Sequence, residues 1–163
     1  MIQGFFDPAL AARGQPWPRV RAAVVLPGLA AKPMAGSFVL DTGAMRSCLH
    51  PVDAIYVGLT RGQLMTPQLW PRKVSSQGVG GSMEYFEAQA ELAFLDGASS
   101  ALIAVQTDIE VAPLRPETES LPSLLGWDVL REFRLALDWD RREVTLNPIA
   151  GGQWRRLSVP PRR

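Results

Sequence analysis

The sequence predicts a mainly β, single-domain protein, a sandwich or small barrel of short strands with a few helical turns between them. Three observations carry that prediction. Apolar, β-rich runs recur along the chain, among them residues 20–26, 37–40 and 83–95,. Turn dipeptides follow two of them, Pro27-Gly28 and Asp96-Gly97,. A chain of 163 residues that is 47% apolar suits one packed domain,.

The elements follow in order. Gly4, Pro8, Gly14, Pro16 and Pro18 predict an irregular N-terminal arm over residues 1–18, with Phe5, Phe6 and Trp17 available to dock. The domain proper is expected over 19–148. Its strand at 37–40 runs straight into Asp41-Thr42-Gly43-Ala44. Residues 51–59 open on Pro51 and reach Gly58, the pattern of one or two helical turns,. A polar, glycine-rich segment at 74–81 precedes the long run 83–95. After Asp96-Gly97 the chain returns as a strand at 101–106. Pro113, Pro116 and Pro122 mark 112–123 as a loop. Leu124-Leu125-Gly126 leads into a short helix at 128–133. Residues 135–139 and 144–146 then form a hairpin around Asp140-Arg141-Arg142. Residues 149–163 read as a tail, mobile at its end.

Composition narrows the function. There are 17 basic and 16 acidic residues, a net charge of +1, which argues against a dedicated nucleic-acid binder,. The scattered arginines read as solvated surface. A single cysteine, Cys48, forbids an intrachain disulfide and fits a reducing, cytoplasmic setting,. It reads as a small buried residue. No run approaches the ~18 apolar residues of a membrane span, and the N-terminus lacks a signal-peptide pattern. His50, the lone histidine, has no second histidine for a metal set, so a surface or capping role is expected,. No metal or cofactor is expected. Neither a Gly-x-Ser-x-Gly elbow nor a phosphate loop is present,.

Three features carry chemistry through their order. The first is the strand Phe38-Val39-Leu40 ending on Asp41-Thr42-Gly43-Ala44, with Ser47-Cys48-Leu49 behind it. A carboxylate that does chemistry needs a rigid, partly buried seat. A strand ending in a tight turn supplies one, with Gly43 permitting close backbone approach and Thr42 offering a hydroxyl. The second is Gln77-Gly78-Val79-Gly80-Gly81, a hairpin tip whose glycines let backbone approach a ligand,. The third is Leu124-Leu125-Gly126-Trp127-Asp128. There a strand passes close to the first turn before a helix begins, with Asp128 capping or favouring the helix start,. Trp127 reads as core packing.

Together, over roughly residues 19–147, these features resemble the retropepsin-like aspartic proteases. The resemblance implies an all-β, closed acid-protease fold with one short C-terminal helix. It implies that Asp41 is the catalytic aspartate of an aspartic endopeptidase. Thr42 would form a hydrogen-bonded grip across a dimer, and Gly43 would shape the turn. Ala44, Gly78, Val79, Gly80 and Gly81 would contact an extended peptide or protein substrate, the last four as the tip of a flap.

That chemistry needs two carboxylates, and the chain holds one such turn. Asp7, Asp53, Asp96, Asp108, Asp128, Asp138 and Asp140 lie in other contexts. The second carboxylate is therefore expected from Asp41 of another copy, in a two-fold homodimer. A catalytically silent binding or dimerisation module on the same fold is the alternative.

Overall fold

Strands dominate the computed structural model, which describes residues 1–12, 15–30, 33–78 and 81–158. In chain order they are β1 (Ile2–Gln3), β2 (Phe5–Ala12), β3 (Gln15–Val25), β4 (Met34–Leu40) and β5 (Cys48–Leu49). Next come helices α1 (Pro51–Tyr56) and α2 (Arg61–Met65) and a 3-10 turn (Pro67–Leu69). β6 (Arg72–Gly78), β7 (Gly81–Asp96) and β8 (Ala101–Val111) lead to α3 (Pro116–Glu119) and β9 (Ser123–Leu125). The chain finishes with α4 (Trp127–Leu130), β10 (Phe133–Asp138), β11 (Glu143–Pro148) and β12 (Trp154–Leu157).

Six of these strands close on themselves. β7 pairs with β3, β3 with β4, β4 with β9, β9 with β5, β5 with β8, and β8 again with β7. Closure leaves those strands without free edges. The period of two places Val20, Ala22 and Val24 of β3 in the core,. Phe38, Leu92, Phe94, Ile103 and Leu125 join them in one contiguous cluster, each 0% exposed. Burying such a side chain stabilises by roughly 1.5–3 kcal/mol relative to exposure. β1, β11 and β10 extend the sheet beyond β7, and β12 extends it beyond β8.

Several expectations need correction. Residues 1–18 are not irregular, because β1, β2 and the start of β3 occupy them. The expected arm boundary at 18/19 falls inside β3. Pro16 and Pro18 precede the β3–β4 ladder, which begins at Arg19↔Val39, so their missing N–H groups cost that ladder nothing,. Arg19 is not surface: it is buried, and its guanidinium donates to Asp7 at 3.1 Å and to the Ser37 carbonyl at 2.7 Å. Within the tail, residues 154–157 form a strand on β8, with Trp154 opposite Val105. The expected loop 112–123 contains one helical turn, α3, started by Pro116. α4 spans four residues rather than reaching 133, because Phe133 is already paired with Pro148 in the last hairpin. The Asp96-Gly97 hairpin forms with residues 97–100 as its loop, and Asp96 accepts from the Ala98 amide at 3.1 Å.

Candidate active site

β4 and β9 run parallel, with Phe38 opposite Ser123 and Leu40 opposite Leu125. The Asp41 amide continues that ladder by donating to the Leu125 carbonyl at 3.1 Å. Asp41 therefore sits where a buried strand leaves the core, its backbone tied to β9. The chain then turns tightly. The Ala44 amide donates to the Asp41 carbonyl at 3.2 Å, and the Gly43 amide donates to Asp41 Oδ1 at 2.9 Å. A side chain at 43 would crowd that carboxylate, since a Cβ there would lie 3.2 Å from Oδ1. The Asp41 side chain is thus oriented by its own turn. Asp41 and Ala44 are partly exposed, and Thr42 and Gly43 are exposed.

The third sequence feature packs directly on the first. Trp127 and Asp128 donate their amides to the carbonyls of Ala44 (2.9 Å) and Met45 (3.1 Å). The Trp127 indole N–H donates to the Thr42 carbonyl at 2.6 Å. Ser47, fully buried, accepts from the Gly126 amide at 3.0 Å and donates to Asp128 Oδ1 at 2.7 Å. Thr107 donates to the other Asp128 oxygen at 2.9 Å. Gly126 is required by proximity: a Cβ there would stand 2.6 Å from the Arg46 carbonyl carbon and oxygen. Asp41–Ala44 and 124–128 are therefore one unit.

One role differs from expectation. Trp127 is not core packing but 43% exposed, its ring held beside the Asp41 turn by the bond to Thr42. Asp128 lies in the first turn of α4, behind Gly126 at the cap position, where its carboxylate accepts from the Val129 amide at 3.0 Å as well as from the Ser47 and Thr107 hydroxyls. The sequence reading placed Ser47 but not its partner. The available signal was a lone hydroxyl residue entering an apolar strand, a place where a buried polar group demands a bond.

The glycine-rich segment forms a hairpin, with Gly78 opposite Gly81 at the far end of the β6–β7 ladder. Val79 and Gly80 lie outside the described residues. Among those described, no hydrogen bond ties Gly78 or Gly81 to Asp41–Ala44.

Nearby groups have different characters. Cys48 is buried as expected, and that burial, with Glu110 close by, pushes its thiol well above the ordinary range. His50 is not on the surface: it is 3% exposed, and burial lowers its pKa. It occupies the cap position of α1 without a side-chain cap bond, while its amide donates to Ser123 Oγ at 2.9 Å. Among the described residues no group of three His, Cys, Asp or Glu side chains could hold a metal ion. Among the described residues no helix is long and apolar enough to cross a membrane. Asp41 lines neither of two surface grooves, one along Arg72, Glu87 and Asp108 and one along Gln89, Gln106 and Thr107.

Compared with known proteins, the chain matches no family model and no curated protein.

Proposed function

We propose that this chain is one half of a retropepsin-like aspartic endopeptidase, completed when a second copy brings its own Asp41 to the first across a two-fold axis. One observation carries the reading. The Asp41 carboxylate is fixed by the Gly43 amide at the end of a buried strand, yet is partly open to solvent beside an exposed Thr42. A carboxylate that is oriented, supported and accessible is the arrangement acid–base chemistry uses.

The chemistry follows from pairing. Two carboxylates held close together cannot both ionise cheaply, so they share one proton. The ionised partner takes a proton from water as that water attacks the scissile carbonyl. The protonated partner gives its proton to the carbonyl oxygen; as the tetrahedral intermediate collapses, the first carboxyl passes water's proton to the departing amine and the second recovers a proton from a hydroxyl of the intermediate. The substrate would lie extended, its backbone bonding to strand edges and to the β6–β7 hairpin acting as a flap.

The test is cleavage of a mixed peptide library by the whole chain, with Asp41→Asn as control and pepstatin as inhibitor. The reading expects turnover that pepstatin blocks and that Asp41→Asn lowers by roughly a thousandfold, the scale of lost acid–base catalysis. Turnover that survives Asp41→Asn removes Asp41 from the mechanism.

A further inference from the structure

The β6–β7 hairpin leaves the body of the sheet at Phe86 and Glu87, the last β7 residues paired with both β6 and β8. Beyond them, residues 81–85 of β7 pair with β6 but not with β8, so they form a two-stranded ribbon. At Glu87 three strands meet: Arg72 of β6 is opposite it on one side and Glu110 of β8 on the other. Glu87 and Glu110 are both 6% exposed. Like charges directly opposite each other in a ladder repel, and burial sharpens the cost. Glu110 receives the Ser76 hydroxyl at 2.6 Å. Glu87 receives two guanidinium groups, those of Arg72 (2.6 Å) and Arg46.

These two arginines do different things. Arg72 belongs to the ribbon itself, and it reaches the body through Asp108 at 3.1 Å. Arg46 belongs to the loop that follows Asp41, where its backbone lies against Gly126. Its guanidinium bridges from that loop to Glu87 at the ribbon root, and donates to the Asp108 carbonyl at 3.0 Å. Arg46 thus joins the turn that carries the candidate catalytic carboxylate to the point where the ribbon begins.

We infer that Arg46 is a positioning residue, a clamp through which the loop after Asp41 sets the placement of the β6–β7 ribbon and so its capacity to hold a peptide. The part concerning peptide capture rests on the endopeptidase reading; the clamp itself does not. Truncating Arg46 leaves Glu87 partnered within the ribbon by Arg72, so the fold survives while the tie to the loop is lost.

Amide hydrogen exchange and peptide kinetics on the whole chain, comparing wild type, Arg46→Ala and Arg46→Lys, test this. In Arg46→Ala, exchange across residues 72–78 and 81–87 rises about fivefold, as expected for a local opening that has lost one partly exposed ion pair. Exchange across β10–β11 stays at the wild-type rate. Arg46→Lys, which keeps the charge, returns ribbon exchange to within about twofold of wild type. On a peptide that wild type cleaves, Arg46→Ala raises KM about tenfold and changes kcat less than about threefold, the pattern of lost binding rather than lost chemistry. Ribbon exchange that is unchanged, or that rises equally in β10–β11, overturns the clamp even in a chain that cleaves nothing. An absence of wild-type cleavage overturns the endopeptidase reading instead.

Discussion

Ser47 Oγ lies 2.7 Å from Asp128 Oδ1 and 3.0 Å from the Gly126 amide, so one hydroxyl fastens the loop after Asp41 to the start of α4. Ser47→Ala leaves the Gly126 N–H unpaired and Asp128 one donor short, both at a buried junction. The expected loss is about 2–3 kcal/mol, the sum for two under-satisfied groups. Urea unfolding measures it, and a loss under about 0.5 kcal/mol, the range of an ordinary surface change, contradicts the role.

Gly126→Ala acts on the same junction by a different route. The added methyl meets backbone, at 2.6 Å from the Arg46 carbonyl group and 2.9 Å from the Ala44 carbonyl oxygen. Backbone in a bonded loop cannot swing aside as a side chain can. We expect a destabilisation of about 1–3 kcal/mol from overpacking, with displacement of the Ala44–Arg46 segment. A thermal melt gives the first quantity. Peptide cleavage at a temperature where the variant is folded gives the second, and full wild-type activity there contradicts the coupling.

Thr42→Val should separate association from folding in the proposed dimer. It is exposed, and its carbonyl is already occupied by the Trp127 indole. Thr42→Val keeps the shape and removes the hydroxyl. Monomer stability should stay within about 0.5 kcal/mol. Two-fold symmetry counts each lost bond twice, so the dimer dissociation constant should rise about tenfold or more. Sedimentation equilibrium reads that constant, and unchanged association counts against the grip.

Tyr85 contributes to the alkaline limb of stability, alongside the buried Cys48. Burial, with Cys48 and Glu110 adding to it, pushes its phenol up to about 12. An unfolded tyrosine titrates near ~10. The folded state therefore favours the neutral phenol. That contribution is complete below about pH 10 and is lost as pH rises toward 12. Tyr85→Phe should flatten the fall in stability across that window. Equal falls in both proteins, followed by urea unfolding at pH 9 and 11, contradict it.

How much of this was legible in the sequence depended on how local the cause was. The β-rich run at 37–40 and the alternation of 83–95 predict strands because the pattern itself decides which side is buried. The Asp41 turn was legible for the same reason, a strand running into residues that bend. Trp127 was misplaced because its exposure depends on a carbonyl 85 residues away. The Ser47–Asp128 bond spans 81 positions and leaves no local mark. Arg19 sits inside because Asp7 and the Ser37 carbonyl meet it there, partners that only pairing of β2, β3 and β4 supplies. Prolines in 1–18 suggested irregularity, yet strands at the outer side of a sheet tolerate them.

The central claim is that two Asp41 side chains make one site, and subunit mixing tests it most directly. Wild type and Asp41→Asn are combined at fixed total concentration above the dimer dissociation constant and allowed to exchange. If each site needs both carboxylates, an equal mixture retains about a quarter of wild-type activity, because only that share of random dimers carries two intact copies. Retention of about half, the value for sites that act alone, would contradict the account.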